Sequence, residues 1–257
     1  MKYRDIQLQL DGHMATLLLN RPEKRNALSL NTLREMIHAL KGLATRQEVR
    51  VVVLRGKGPM FSAGHDLKEL AEGDLQDYRH IFADCMKMML LLHEIPQPVI
   101  AGVHGIATAA GCQLVAACDL AIATENARFA TPGVKIGFFC TTPMVPLSRA
   151  VGRKKALEML FTGKFISAQE AMQFGLVNQI VPADELDDAI RRLAEHICQF
   201  SREVVGAGKA TFYHQIEMAE RIAYGYATEV ISVNGVRPVA REGMAAFIEK
   251  RDPVWPE

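Results

Sequence analysis

Two stretches of the chain carry residue types suited to holding a polarised oxygen. The first is Met60-Phe61-Ser62-Ala63-Gly64-His65-Asp66-Leu67. The second is His104-Gly105-Ile106-Ala107-Thr108-Ala109-Ala110-Gly111-Cys112-Gln113. Small residues let a ligand approach the backbone, and a helix start presents unpaired N–H donors. Two such starts can aim two N–H groups at one oxygen, which is the chemistry of an oxyanion hole. A plainer explanation is two tight turns whose small residues serve strand–helix packing. From these residues alone that explanation stands ahead.

The elements around both stretches are readable. Ile6 to Leu10 alternates apolar and polar, Asp11-Gly12 is a hairpin turn signal, and Met14 to Leu19 reads as the partner strand. Leu33, Met36, Ile37, Leu40 and Leu43 recur at helical spacing. Val51-Val52-Val53-Leu54 looks like a strand buried on both faces. Residues 75–94 read as a long helix, 98–103 as a second buried strand, 109–117 as a small-residue helix and 120–123 as a third strand. The alternation predicts an α/β fold with a largely parallel sheet. The rhythm returns around 177–181, with Pro182 and Asp184 opening the next helix. Beyond that the pattern is helical. The chain therefore reads as a core over residues 1–182 and a helical region over 183–257, without repeats or a flexible linker.

Composition removes several function classes. Lys+Arg number 30 against 29 Asp+Glu, so the basic face that nucleic acid or an anionic membrane needs is not expected. Aromatic residues make up 7%, few for a platform that stacks single-stranded bases. The five cysteines, an odd number, include no Cys-x-x-Cys pair, which argues against a disulfide framework or zinc ribbon. That cysteine usage fits a reducing cytoplasm, the expected location, and Met1-Lys2-Tyr3-Arg4-Asp5 lacks the apolar run of a secretory leader. The apolar stretch 98–123 contains His104, Gln113 and Asp119. An intramembrane Asp costs roughly 2.5–3.5 kcal/mol, so a buried strand–turn–helix–strand is the better reading.

The order of further pieces changes the balance at the two turns. They are Asn20-Arg21-Pro22-Glu23-Lys24-Arg25-Asn26-Ala27-Leu28, Phe61 to Lys68, Gly105 to Asp119, Phe161-Thr162-Gly163 with Ile166-Ser167-Ala168, Gly175-Leu176-Val177, and Glu242-Gly243 through Arg251. In this order, over nearly the whole length, the chain resembles the crotonase superfamily, also called the enoyl-CoA hydratase/isomerase family. The resemblance implies stacked ββα turns in a spiral core, with two roughly perpendicular sheets wrapped by helices. It implies that the C-terminal helices build a homotrimer, often paired into a dimer of trimers. It also implies an acyl-CoA ligand whose thioester carbonyl sits between two backbone N–H groups, by position those of His65 and Ala110. No separate cofactor or metal is implied, since CoA enters as part of the thioester. The match puts Lys24, Arg25 and Ala27 beside the CoA nucleotide and phosphates. Ala63, Asp66 and Leu67 would line the adenine and pantetheine path, with His65 and Gly111 against the same ligand. Lys250 would reach a neighbouring subunit's CoA. Solvated surface charge explains Lys24, Arg25 and Lys250 equally simply.

The chain departs from the family pattern at the acid–base positions. Family hydratases carry one glutamate shortly after the second oxyanion residue and another about twenty residues on. Here those positions are Gln113 and Gly133. An amide takes up no proton near neutral pH, and glycine offers no side chain. General acid–base groups are each worth about 10²–10⁴ in rate. Efficient hydration is therefore not expected, although Gln113 retains the means to orient a water. Gly137-Phe138-Phe139-Cys140-Thr141-Thr142-Pro143-Met144 replaces a glycine-rich family stretch. With Leu157 to Gly163, it looks like the subgroup called enoyl-CoA hydratase domain-containing protein 3. His65 has an ordinary imidazole suited to proton transfer, and Cys140 would be a nucleophile beside a base. A backbone donor role for His65 and a structural role for Cys140 are the preferred alternatives. His104 is expected to stabilise its turn by a hydrogen bond, and Asp119 to act as a turn or cap acceptor.

Two functions remain. One is an enzyme acting on an acyl-CoA thioester through an enolate or tetrahedral oxyanion. Nominally it is a hydratase (a lyase) of fatty acid metabolism, and otherwise it performs thioester hydrolysis or decarboxylation. The other is a non-catalytic acyl-CoA binder or regulatory subunit. A sugar- or NAD-binding α/β protein is a poor third, because no Gly-x-Gly-x-x-Gly follows a strand with an acidic residue at the proper distance.

Overall fold

The computed structural model describes residues 2–256. The strands β1 (Ile6–Asp11) and β2 (Met14–Leu19) pair antiparallel, with Asp11 opposite Met14. Gly12 closes their turn at φ +55°, where a Cβ would be strained. Helix α1 (Leu30–Ala44) begins at Ser29, whose hydroxyl accepts the Thr32 N–H. There follow β3 (Val51–Gly56), α2 (Leu67–Glu72), α3 (Leu75–Glu94), β4 (Val99–Val103), β5 (Ile106–Thr108), α4 (Ala110–Ala117), β6 (Leu120–Thr124) and β7 (Arg128–Ala130). A 3-10 turn spans Pro132–Ile136. Next come α5 (Met144–Ala150), α6 (Arg153–Thr162), β8 (Ile166–Ser167), α7 (Ala168–Gln173) and β9 (Gln179–Val181). The C-terminal helices are α8 (Leu186–Cys198), α9 (Arg202–Gln215), α10 (Glu220–Gly235) and α11 (Pro238–Glu249).

The main sheet runs β1-β2-β3-β4-β6-β9, and every pairing after the first is parallel. Its centre is buried on both faces, as the continuous apolar runs predict. Val52, Leu54, Val99 and Ala101 point into the larger core with α1 and α3. Val51, Val53, Ile100 and Ile122 pack against Leu186, Ala189 and Ile190 of α8. A second sheet, β5-β7-β8, contains three very short strands. The stretch 98–123 folds as β4, β5, α4 and the start of β6, and no helix among the described residues is long and apolar enough to cross a membrane.

Asp119 is a structural acceptor, as its position suggested. It accepts the Val99 N–H at 2.6 Å and the Tyr213 hydroxyl at 2.8 Å, and it pairs with Lys209 at 2.7 Å. Lys209 also donates to the carbonyls of Leu92 and Gln97. This buried network fastens α9 beneath the sheet. Helix α10, by contrast, buries no residue within the chain, leaving Ile222, Tyr224 and Ile231 exposed.

Candidate active site

The two small-residue turns interlock. The Phe61 N–H donates to the His104 carbonyl at 3.0 Å, and the Ser62 N–H to Ile106 at 3.2 Å. In return the Thr108 N–H donates to Ser62, and its hydroxyl to Ala63. Glycine is required where the turns touch. A Cβ on Gly64, which sits at φ +91°, would stand 2.9 Å from Ala109 Cβ and 3.0 Å from Ala110 N. A Cβ on Gly111 would stand 2.8 Å from Ser62 Cβ. Beneath the first turn, Arg21 bridges the Ala27 carbonyl and the Asp66 carboxylate, and Asn26 donates to Lys57 and Met60.

Ala109 enters α4 at φ 50° and ψ −120°. That backbone shape favours glycine, and an L-residue there stores about 1–3 kcal/mol. Ala109→Gly is therefore expected to stabilise the fold by about 1 kcal/mol after the extra chain entropy of glycine is counted. Denaturant titration reads this directly, and a loss of stability would contradict it.

His65 and Ala110 line one cavity of about 540 Å³. Neither backbone N–H has an acceptor among the hydrogen bonds of the described residues. The Asp66 N–H beside His65 donates to the Leu28 carbonyl, and the Ala109 N–H beside Ala110 donates to the Ala130 carbonyl. Thus two orphan donors, each at a turn leading into a helix, open on one space beside the carboxyl ends of the strands. That is where open α/β sheets bind ligands. The chemistry available is stabilisation of negative charge on an oxygen.

The titratable groups of the wall are ill suited to proton transfer at neutral pH. The His65 ring lies edge-on to Phe82, with centroids 5.1 Å apart, and Nδ1 is 3.3 Å from the Leu28 carbonyl. Burial pushes its pKa down to about 4, against a weaker raising effect of that hydrogen bond. Burial raises the Cys140 thiol, whose sulfur accepts the Gly133 N–H at 3.3 Å. Lys135 is exposed, and no carboxylate lines the cavity among the described residues.

His65 makes stability pH-dependent. The folded chain keeps the ring neutral down to about pH 4, whereas the unfolded imidazole takes a proton near 6.5. Between those values the unfolded state binds more protons, so stability falls as pH falls, by about 3 kcal/mol across the window. His65→Asn should lose that part of the acid sensitivity. Equal slopes for both proteins between pH 6.5 and 4 would refute it.

Of the residues singled out from sequence, Ala63, His65, Leu67 and Ala110 share the cavity wall. Gln113 is buried in α4 with Oε1 unpartnered, and it is not part of the wall. Gly133 is part of it. Gly111 serves the packing on Ser62 described above. Asp66 caps α2 and pairs with Arg21 at 3.1 Å. Lys24 and Arg25 are exposed on the preceding loop, where the Arg25 carbonyl accepts the Ala63 N–H, and Ala27 is buried. Lys250 is exposed and ends α11 in a left-handed cap, away from the cavity lining. His104 hydrogen-bonds through Nε2 to the Gly58 carbonyl at 2.8 Å, steadying its turn as expected. Sequence reasoning did not single out Phe82 or Leu70 as wall residues. Within the 137–144 stretch it weighed only Cys140 as a site residue, and that stretch supplies Phe138, Phe139, Thr141 and Thr142 as well as Cys140 to the wall.

The sequence profile of the enoyl-CoA hydratase/isomerase family matches residues 10–257. The chain belongs to this family. Its similarity to enoyl-CoA hydratase domain-containing protein 3, mitochondrial, is 46% identity to the mouse protein and 48% to the human one. Both alignments cover 96% of this chain and 82% of the relative. Among solved structures, an enoyl-CoA hydratase of Mycobacterium smegmatis superposes with a TM-score of 0.96 at 49% identity, covering 98% of this chain and 99% of that one. Human enoyl-CoA hydratase domain-containing protein 3 superposes at 0.95 with 45% identity, covering 98% and 100%. The crotonase fold expected from the family resemblance is therefore the fold of this chain, and the likeness to that subgroup holds over almost its full length.

Proposed function

We propose that the chain binds an acyl-CoA thioester in the 540 Å³ cavity, with the thioester oxygen accepting hydrogen bonds from the His65 and Ala110 N–H groups. The observation that carries this reading is the pair of acceptor-free N–H groups on one cavity wall. Charge that develops on the oxygen, as an enolate or a tetrahedral adduct, meets donors already in place. Such donors need no reorganisation at the moment of reaction.

Among the described residues no carboxylate lines the cavity, so hydration is slow at most. Reactions that draw less on protein acid–base groups fit better: loss of CO₂ from the substrate itself, or attack of water on the thioester. Lys24 and Arg25 are well exposed to meet CoA phosphates, a pairing that charged hydrogen bonds favour. Lys250 serves a neighbouring copy in an assembly of three, or two such threes, for which the exposed apolar side chains of α10 provide surface. No cofactor is needed beyond the CoA of the ligand.

The test is an assay with crotonyl-CoA and a longer enoyl-CoA, run beside calorimetric titration of each thioester. Binding with hydration far below a typical turnover of about 10 s⁻¹ is the expected result. Turnover at that level would overturn the slow-hydration reading, and absence of binding would overturn the ligand. The lack of a wall carboxylate also favours a second reading, an acyl-CoA binder without turnover. Any product that disappears with Ala110→Pro would exclude it.

A further inference from the structure

The missing family glutamate and the unusual 137–144 stretch are one structural feature. The Phe138 N–H donates to the Gly133 carbonyl at 3.0 Å, and the Gly133 N–H donates to Cys140 Sγ. A Cβ on Gly133 would stand 2.8 Å from Cys140 Sγ and overlap the Phe138 carbonyl oxygen. The stretch therefore folds onto position 133 only when no side chain is there. Folded in, it seats the Phe138 ring against Phe82 and Tyr78 of α3, with both centroids 6.0 Å away. Phe82 in turn meets the His65 ring. The wall at the place of a proton-transfer group is thus aromatic.

Apolar side chains continue that wall: Leu70, Ile136 and Phe139. Among the described residues its one full charge is Lys135, which is exposed. A cavity of this size with few polar groups suits a neutral organic group.

Resting on the thioester reading above, and within it on attack of water rather than loss of CO₂, we infer that the cavity selects acyl-CoA thioesters with an uncharged chain of medium length, and that Phe138 is a specificity-determining residue for that chain. A short acetyl group leaves the aromatic wall bare. An octanoyl group covers it, and each buried methylene is worth roughly fourfold in affinity. A chain ending in a carboxylate gives up this gain, because its charge must be desolvated against phenyl rings.

The experiment is calorimetric titration of the full chain with CoA, acetyl-CoA, octanoyl-CoA and suberyl-CoA, the last ending in a carboxylate. Octanoyl-CoA is expected to bind at least tenfold tighter than both acetyl-CoA and suberyl-CoA. Phe138→Ala should reduce the octanoyl-to-acetyl ratio at least threefold. Phe138→Gln, which keeps the bulk of an exposed residue, should do the same if the alanine variant does not fold. Octanoyl-CoA within threefold of acetyl-CoA would overturn the inference while leaving the thioester reading intact. Tighter binding of suberyl-CoA would overturn it in favour of an anionic chain held by Lys135. An unchanged ratio in a folded Phe138 variant would remove Phe138 from the assignment. Failure of every CoA compound to bind would end the thioester reading itself.

Discussion

Gly133→Glu, made alone or with Gln113→Glu, is expected to destabilise the chain by about 3 kcal/mol and to create no efficient hydratase. Overpacking a filled site typically costs about 1–3 kcal/mol. Here the obstacle is a backbone carbonyl, that of Phe138, rather than the end of a mobile side chain, so the effect belongs at the top of that range. Relief would require the 137–144 stretch to swing out. That motion breaks the Phe138–Gly133 hydrogen bond and withdraws the Phe138 ring from Tyr78 and Phe82. Gln113→Glu adds a second difficulty. The Gln113 side chain is buried with an unpartnered Oε1, and a carboxylate there would be desolvated without a compensating charge. Denaturant titration and a crotonyl-CoA assay on the double variant measure both effects. A stable double variant with brisk hydration would show that the aromatic wall yields easily.

Ala110→Pro removes one of the two free N–H donors while leaving that of His65 in place. Proline is well tolerated as the first residue of a helix, which is the place of Ala110 in α4. The residue before it bears most of the local strain, because Ala109 already has an unusual backbone conformation. Loss of one oxyanion donor costs about 10²–10³ in rate. The same fall is expected here for any turnover of an acyl-CoA thioester. Ala110→Gly, which keeps the N–H, is the control and should stay within a few-fold of the parent. Comparable loss in both variants would mean that the side chain or the turn, rather than the donor, carries the effect.

Much of the scaffold was legible from periodicity. The hairpin at 6–19, the buried strand from Val51 and the helix at 75–94 all stand where alternation or helical spacing placed them. The three strands of the second sheet were not legible, since strands of two or three residues carry no period. Helices α5 and α6 escaped because exposed Met144, Val145, Leu157 and Phe161 add apolar residues outside the buried set of Leu147, Met159 and Leu160, which blurs the stripe. At the site, small residues announced the two turns, and the family resemblance singled out His65 and Ala110 within them. The wall was hidden, because it joins Phe82 of α3 to Phe138 of a distant loop. Only folding shows that Gly133 is what permits that meeting.

One crystal structure with a non-hydrolysable acyl-CoA thioester analogue bound would test the central idea directly. The predicted result is a carbonyl oxygen about 2.7–3.1 Å from the amide nitrogens of both His65 and Ala110, the range expected for an oxyanion hole. A carbonyl oxygen held by neither amide, with the acyl group elsewhere on the molecule, would contradict it.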